Sequence, residues 1–183
     1  MRIFHLLLLQ LGIASFVSAE PAPFSVNGVM VGMSVDEAKT ALGPDWVNGK
    51  SYFPWIGQNG TDPSGFEGPV TRMRHRQGKV IVCTGDDLEF CSKSLIRRGQ
   101  TLGRLGEMLG RPDLVPSGGY AGHGVDSPVI SHLYFRCGYV IEALVSNDRF
   151  IRNHFPAAEW PARCGKVWRF RLWASDLEDG YGQ

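Results

Sequence analysis

The sequence has almost no net charge: 19 Lys and Arg stand against 18 Asp and Glu, for a formal net charge of +1. A general electrostatic hold on nucleic acid needs a large excess of Lys and Arg to displace counterions, so that mode of binding is excluded. Hydrolase signatures are missing as well. There is no G-x-S-x-G elbow, no S-x-x-K and no H-E-x-x-H, and no G-x-G-x-x-G follows a strand pattern, so neither a nucleophile nor a phosphate cradle has an anchor. Cysteine is scarce, and the four residues present lack the close C-x-x-C pairs of a structural zinc site. No metal or cofactor is expected. The 23 Gly and 11 Pro in 183 residues leave little room for long helices, while 43 % hydrophobic residues suffice for a folded core.

The apolar run at the N-terminus is too short for a membrane span, which needs about 20 apolar residues. Met1-Arg2 gives a short positive start, Ile3 to Val17 is mostly apolar, and Val17-Ser18-Ala19 offers small residues for cleavage before Glu20. Residues 1–19 read as a secretory signal peptide. Its removal takes Arg2 away and leaves 18 basic and 18 acidic residues. A mature chain without a membrane span, periplasmic or secreted, is the expectation. In an oxidising compartment Cys83, Cys91, Cys137 and Cys164 would form two disulfides. Of the three connectivities, Cys83–Cys91 with Cys137–Cys164 closes the two shortest loops.

Compared with itself, the chain aligns Gly32-Met33-Ser34-Val35-Asp36-Glu37-Ala38 through Leu42-Gly43-Pro44 with Gly99-Gln100-Thr101-Leu102 through Leu109-Gly110-Arg111-Pro112. Each copy has a hydroxyl residue suited to an N-cap, an apolar face at helical spacing, and a Gly then Pro to end it. Ser34 and Glu37 also form a capping box. The second copy carries Gly103 and Gly106, so its helix is expected to be the weaker. A second correspondence, at an offset of 60, matches Arg72–Val82 with His132–Glu142. Both read as β-hairpins turning at Gly78 and Gly138. Lys166–Trp173 reads as a final strand with Trp168, Phe170 and Leu172 on one face, Asn147–Pro161 as irregular, and 176–183 as a frayed tail.

The fold class that follows is α+β, with two tandem repeats, residues 20–94 and 95–175, each a short helix packed on an antiparallel sheet. The Gly-Met-Ser-x-x-Glu-x-x-x-x-Leu-Gly-Pro pattern before a hairpin resembles the β-lactamase inhibitor proteins and the related small lipoproteins of outer-membrane-protein assembly. That resemblance implies paired helix-and-sheet units, one curved continuous sheet, and a protein partner held on the face opposite the helices. The lipidated Cys of the assembly lipoproteins has no counterpart after the cleavage site.

With strand period 2, Met73, His75, Leu133 and Phe135 are expected beneath the helices. Arg72, Arg74, Arg76, His132, Tyr134 and Arg136 then face the partner, with Trp46, Tyr52, Phe53 and Trp55 extending that surface; Arg and Tyr commonly dominate protein interfaces. The function expected is a non-catalytic protein-binding module, an inhibitor or an envelope assembly factor. Two other classes compete: a small secreted hydrolase using His123, Asp126 and His132, and a structural envelope scaffold. The Asn59-Gly60-Thr61 sequon is taken as incidental.

Overall fold

The computed structural model describes residues 23–43, 46–48, 55–58, 71–116 and 127–176. The signal peptide expected at 1–19 and the tail beyond Asp176 lie outside these residues.

Both sequence-matched helices form where their caps place them. α1 (Val35–Leu42) starts at Ser34, whose hydroxyl accepts the Glu37 N–H while the Glu37 carboxylate accepts the Ser34 N–H, closing the capping box. α2 (Leu102–Leu109) has only the Thr101 cap, accepting from the Arg104 N–H. Gly43 and Gly110 end the helices at positive φ, 79° and 80°, where a β-carbon would be strained. Each helix buries its apolar face: Ala38 and Leu42 in α1, Leu105 and Leu109 in α2.

Among the described residues ten strands make two antiparallel sheets. β1 (Phe24–Val26), β6 (Asp87–Phe90) and β7 (Lys93–Arg97) form the smaller, in the order β1-β6-β7. The larger runs β2-β3-β4-β5-β10-β9-β8. It comprises β2 (Trp46–Asn48), β3 (Trp55–Gln58), β4 (Thr71–Arg76), β5 (Lys79–Gly85), β8 (Val129–Arg136), β9 (Tyr139–Ser146) and β10 (Val167–Ala174). The protein is therefore α+β. Tight turns join β4 to β5 at Gln77-Gly78 and β8 to β9 at Cys137-Gly138, all four residues having positive φ as such two-residue turns require.

The helix starts are tied to the large sheet by one repeated pattern. At α1, Gly32 N–H donates to Val80 O, Val80 N–H to Met33 O and Val35 N–H to Gly78 O; at α2, Gly99 N–H donates to Val167 O, Val167 N–H to Gln100 O and Leu102 N–H to Gly165 O. The strand anchoring α2 is thus β10. The offset of 60 had pointed to β9, one strand away. β7 also runs across the boundary expected at residue 94/95.

Asn147–Pro161, expected to be irregular, holds α3 (Asp148–His154), a single 3-10 turn (Ala157–Glu159) and the start of α4 (Trp160–Arg163). Asn147 caps α3 by accepting the Phe150 N–H, a signal the Pro-rich flank obscured. In β10, Phe170 and Leu172 are buried side by side as expected, whereas a register shift between Val167 and Arg169 leaves Trp168 half-exposed.

The main core lies between the sheets and the helices. It gathers Met73, Cys83, Tyr134, Ile141, Phe170 and Leu172 from the large sheet, Leu88 and Ile96 from the small one, and the buried faces of α1 and α2. A second, smaller cluster, Val82, Leu133, Val140 and Trp173, sits on the opposite face of the large sheet.

The four cysteines expected to form two bridges stand as free thiols in the structure. Cys137 sits at the β8–β9 tip, beyond the Ala174↔Tyr139 end of the β9–β10 ladder, while Cys164 precedes the Val167↔Val145 end. The length of β10, about 25 Å for eight residues, separates them, whereas a disulfide tolerates a Cα separation of about 7 Å. Cys83 is sealed in the main core beside Val29 O, and Cys91 is exposed in the β6–β7 turn.

Candidate interaction face of the large sheet

The face away from the helices is built from two rows of side chains that cross the strands. Register places Arg72 opposite Thr84, Thr84 opposite Arg171, Arg171 opposite Glu142 and Glu142 opposite Leu133. The neighbouring row runs Arg74, Val82, Trp173, Val140, Phe135. On β3 the register partners of Arg72 and Arg74 are Gly57 and Trp55. Arg72 and Arg76 are exposed and Arg74 is half-buried.

The centre of this face is closed: Val82, Trp173 and Val140 are buried in one row, and the other row is polar as far as Glu142. Glu142 has no solvent exposure; one carboxylate oxygen accepts from the Ser131 hydroxyl at 2.5 Å and the other pairs with Arg171 at 3.0 Å. A buried carboxylate is tolerable only with such partners, because an uncompensated charge in the interior costs several kcal/mol. The Thr84 hydroxyl, between Arg72 and Arg171, is buried without a hydrogen-bond partner. Beside the rows, Arg169 reaches Asp86 at 3.7 Å, and Arg98 approaches the same carboxylate at 3.5 Å.

The rim is apolar at one edge. Phe135 is 49 % exposed, and Leu114, paired with Leu133 along the free side of β8, is 46 % exposed, as is Val115 beside it. Asp113 secures this edge, accepting the Phe135 N–H at 2.8 Å and the Arg136 guanidinium at 2.6 Å. The backbone and guanidinium donors hold the Asp113 carboxyl below the usual carboxylate range.

The β8 residues expected on this face are inverted. Tyr134 is 1 % exposed and belongs to the main core, where burial pushes its phenol up to about 12. Arg136 donates to Leu109 O at 2.7 Å and so ties down the C-terminus of α2. His132 is half-buried, and desolvation lowers its pKa. Leu133 and Phe135, expected beneath the helices, lie on the far side. Period 2 orders side chains within one strand but does not relate the parity of β4 to that of β8, and the register shift between Arg74 and His75 adds a further break.

Of the aromatic residues expected to extend the face, Trp46 and Trp55 lie in β2 and β3, while Tyr52 and Phe53 are outside the described residues. His123 and Asp126 also lie outside them. Arg171, Trp173, Glu142 and Thr84 were missed as site residues. The alternation in β10 carried the signal for two of them, since Trp168, Phe170 and Leu172 on one side imply Arg169, Arg171 and Trp173 on the other. Among the described residues no group of His, Cys, Asp and Glu is arranged to hold a metal ion, and no helix is long and apolar enough to cross a membrane.

No protein-family model matches the chain, and no curated protein sequence does. Among solved structures the chain is similar to YjgB, a DUF4309-family protein of Bacillus subtilis, at 15 % identity over 77 % of this chain and 78 % of that one, with a TM-score of 0.41. A likeness at this level carries no function across.

Proposed function

We propose that this protein is an exported, non-catalytic protein-binding module that docks its partner on the face of the large sheet opposite α1 and α2. The observation that carries the reading is the makeup of that face. Three of the four large apolar side chains exposed among the described residues, Leu114, Val115 and Phe135, gather at its β8 edge, and Arg72, Arg74 and Arg76 stand across the sheet on β4. Arginines and exposed aromatic anchors are residue types enriched at protein interfaces. The partner this face fits presents an apolar patch and, four strand spacings or roughly 19 Å away, an acidic one.

The repeated anchoring of α1 on β5 and α2 on β10 supports a reading of the chain as two units, α1 with β3–β5 and α2 with β8–β10, joined side by side at the β5–β10 pair. Such a junction makes one continuous sheet from two units and agrees with the resemblance to the inhibitor proteins. As an inhibitor or an envelope assembly factor, the protein would act by occupying a partner's surface. The experiment is a binding titration against the partner recovered with the mature chain as bait. Phe135→Asp and Arg74→Glu are each expected to weaken binding about tenfold or more, with unchanged melting temperature. Arg104→Glu, on the solvent side of α2, leaves it unaffected. Full affinity in both face variants would refute the surface.

A further inference from the structure

Where the crossover from β9 re-enters the sheet, a groove of about 350 Å³ opens between the β7–α2 junction and the α4–β10 turn, lined by Arg98, Glu159, Ala162, Arg163, Lys166 and Trp168 among others. Its size is at the small end of ligand sites. Three cations face it against one carboxylate.

One of those cations is held in place with donors to spare, and a second rises from a fixed backbone. Lys166 is fixed through its backbone: its N–H donates to Ser146 Oγ at 3.0 Å, its carbonyl accepts the Ser146 N–H at 2.9 Å, and it bridges to Thr101. The Asp148 carboxylate clips the same junction, accepting from Ser146 Oγ at 2.8 Å and from the Gly165 N–H at 2.9 Å. Arg163 is steadied on two sides. Its Nε donates to Glu159 at 2.7 Å, and its guanidinium carbon lies 4.3 Å from the centroid of the Phe155 ring. Among the described residues, neither the terminal guanidinium nitrogens of Arg163 nor the Lys166 ammonium has an acceptor. A guanidinium fixed at its Nε and face, with its outer nitrogens unused, is prepared for an oxyanion, and an ammonium in the same groove adds a second charge-assisted donor.

We propose that this groove binds a small molecule bearing an oxyanion, carboxylate or phosphate, on a flat apolar group, with Arg163 and Lys166 taking the oxyanion and Trp168 the apolar group. The proposal does not rest on a protein partner at the sheet face. The test is calorimetric titration of the purified chain with inorganic phosphate, phenyl phosphate and benzoate. Saturable binding is expected, with phenyl phosphate tighter than phosphate. Lys166→Gln and Arg163→Gln should each weaken it about tenfold or more while thermal unfolding stays cooperative. Should Arg163→Gln fail to fold, Lys166→Gln carries the test, since its ammonium holds nothing in the fold. Lys79→Gln, exposed at the distant β4–β5 turn and outside both proposed sites, should change nothing. Heats that never saturate, or equal weakening in Lys79→Gln, would overturn the site; phenyl phosphate binding no tighter than phosphate would remove Trp168 from it.

Discussion

Glu142 and Cys83 show how single buried groups set measurable properties of this chain. Replacing Glu142 by Ala removes the buried carboxylate that pairs with Arg171 and accepts the Ser131 hydroxyl, and the loss should be about 3 kcal/mol in urea unfolding, typical of breaking a buried pair from one side. Cys83 and Tyr134 act on the alkaline limb. Burial raises the thiol from 9.0 to about 12 and the phenol from 10.0 to about 12. The folded state therefore keeps both protons after the unfolded chain has released them. Their contribution is complete below pH 9 and is lost as pH rises towards 12, so the urea midpoint should fall over that window and fall less steeply in Cys83→Ala. The thiols also report the fold directly. In the native protein, iodoacetamide should modify the exposed Cys91 and Cys137 and spare Cys83 until denaturant is added. Peptide mapping that joined Cys137 to Cys164 would contradict the β9–β10 register.

At the scale of elements, helix strength follows capping and glycine content. α2 carries Gly106 on a solvent-facing turn, where an added β-carbon meets nothing within 4 Å. Gly106→Ala should therefore stabilise the protein by about 0.5–1 kcal/mol, seen as a higher melting temperature. The edge of β8 depends on Asp113: Asp113→Asn keeps the shape but weakens the acceptor of the Phe135 N–H, and faster hydrogen exchange at that amide is the expected readout. These elements were largely legible in the sequence. Ser34 with Glu37, Thr101, and the Gly78 and Gly138 turns act through neighbours a few residues away, so their chemistry can be read locally. What could not be read is what long-range pairing decides. Nothing local in Tyr134 or Phe135 says which of them faces the helices, because that depends on how β8 meets β9 and on what covers each side of the sheet. The α3 crossover was missed because its cap, Asn147, sits in a stretch whose Pro and charged residues look like a loop. Sequence spacing is equally silent on the distance between Cys137 and Cys164, which lie towards opposite ends of the β9–β10 pair.

Considered as a whole molecule, the chain places the last of its described strands inside its larger sheet, fifth of seven in order. β10 pairs with β5 on one side and β9 on the other, so the first half of the sheet has no bond to the second until residues 167–174 arrive. Phe170 and Leu172, both fully buried, then close the main core between Met73 and Cys83 on one flank and Ile141 and Ala143 on the other. A sheet completed by so distant a pairing should fold slowly for its size, since loop closure precedes the contacts that reward it. It should also fail as a unit. Phe170→Ala is expected to cost about 3–5 kcal/mol, close to the stability of many small domains, and a chain ending before Val167 should show no cooperative transition in urea by circular dichroism or fluorescence. If that truncated chain instead unfolded cooperatively, with protected amides in β4 and β5, the first unit would be stable by itself, and the β5–β10 pair would be a docking contact between two independent folds rather than the centre of one.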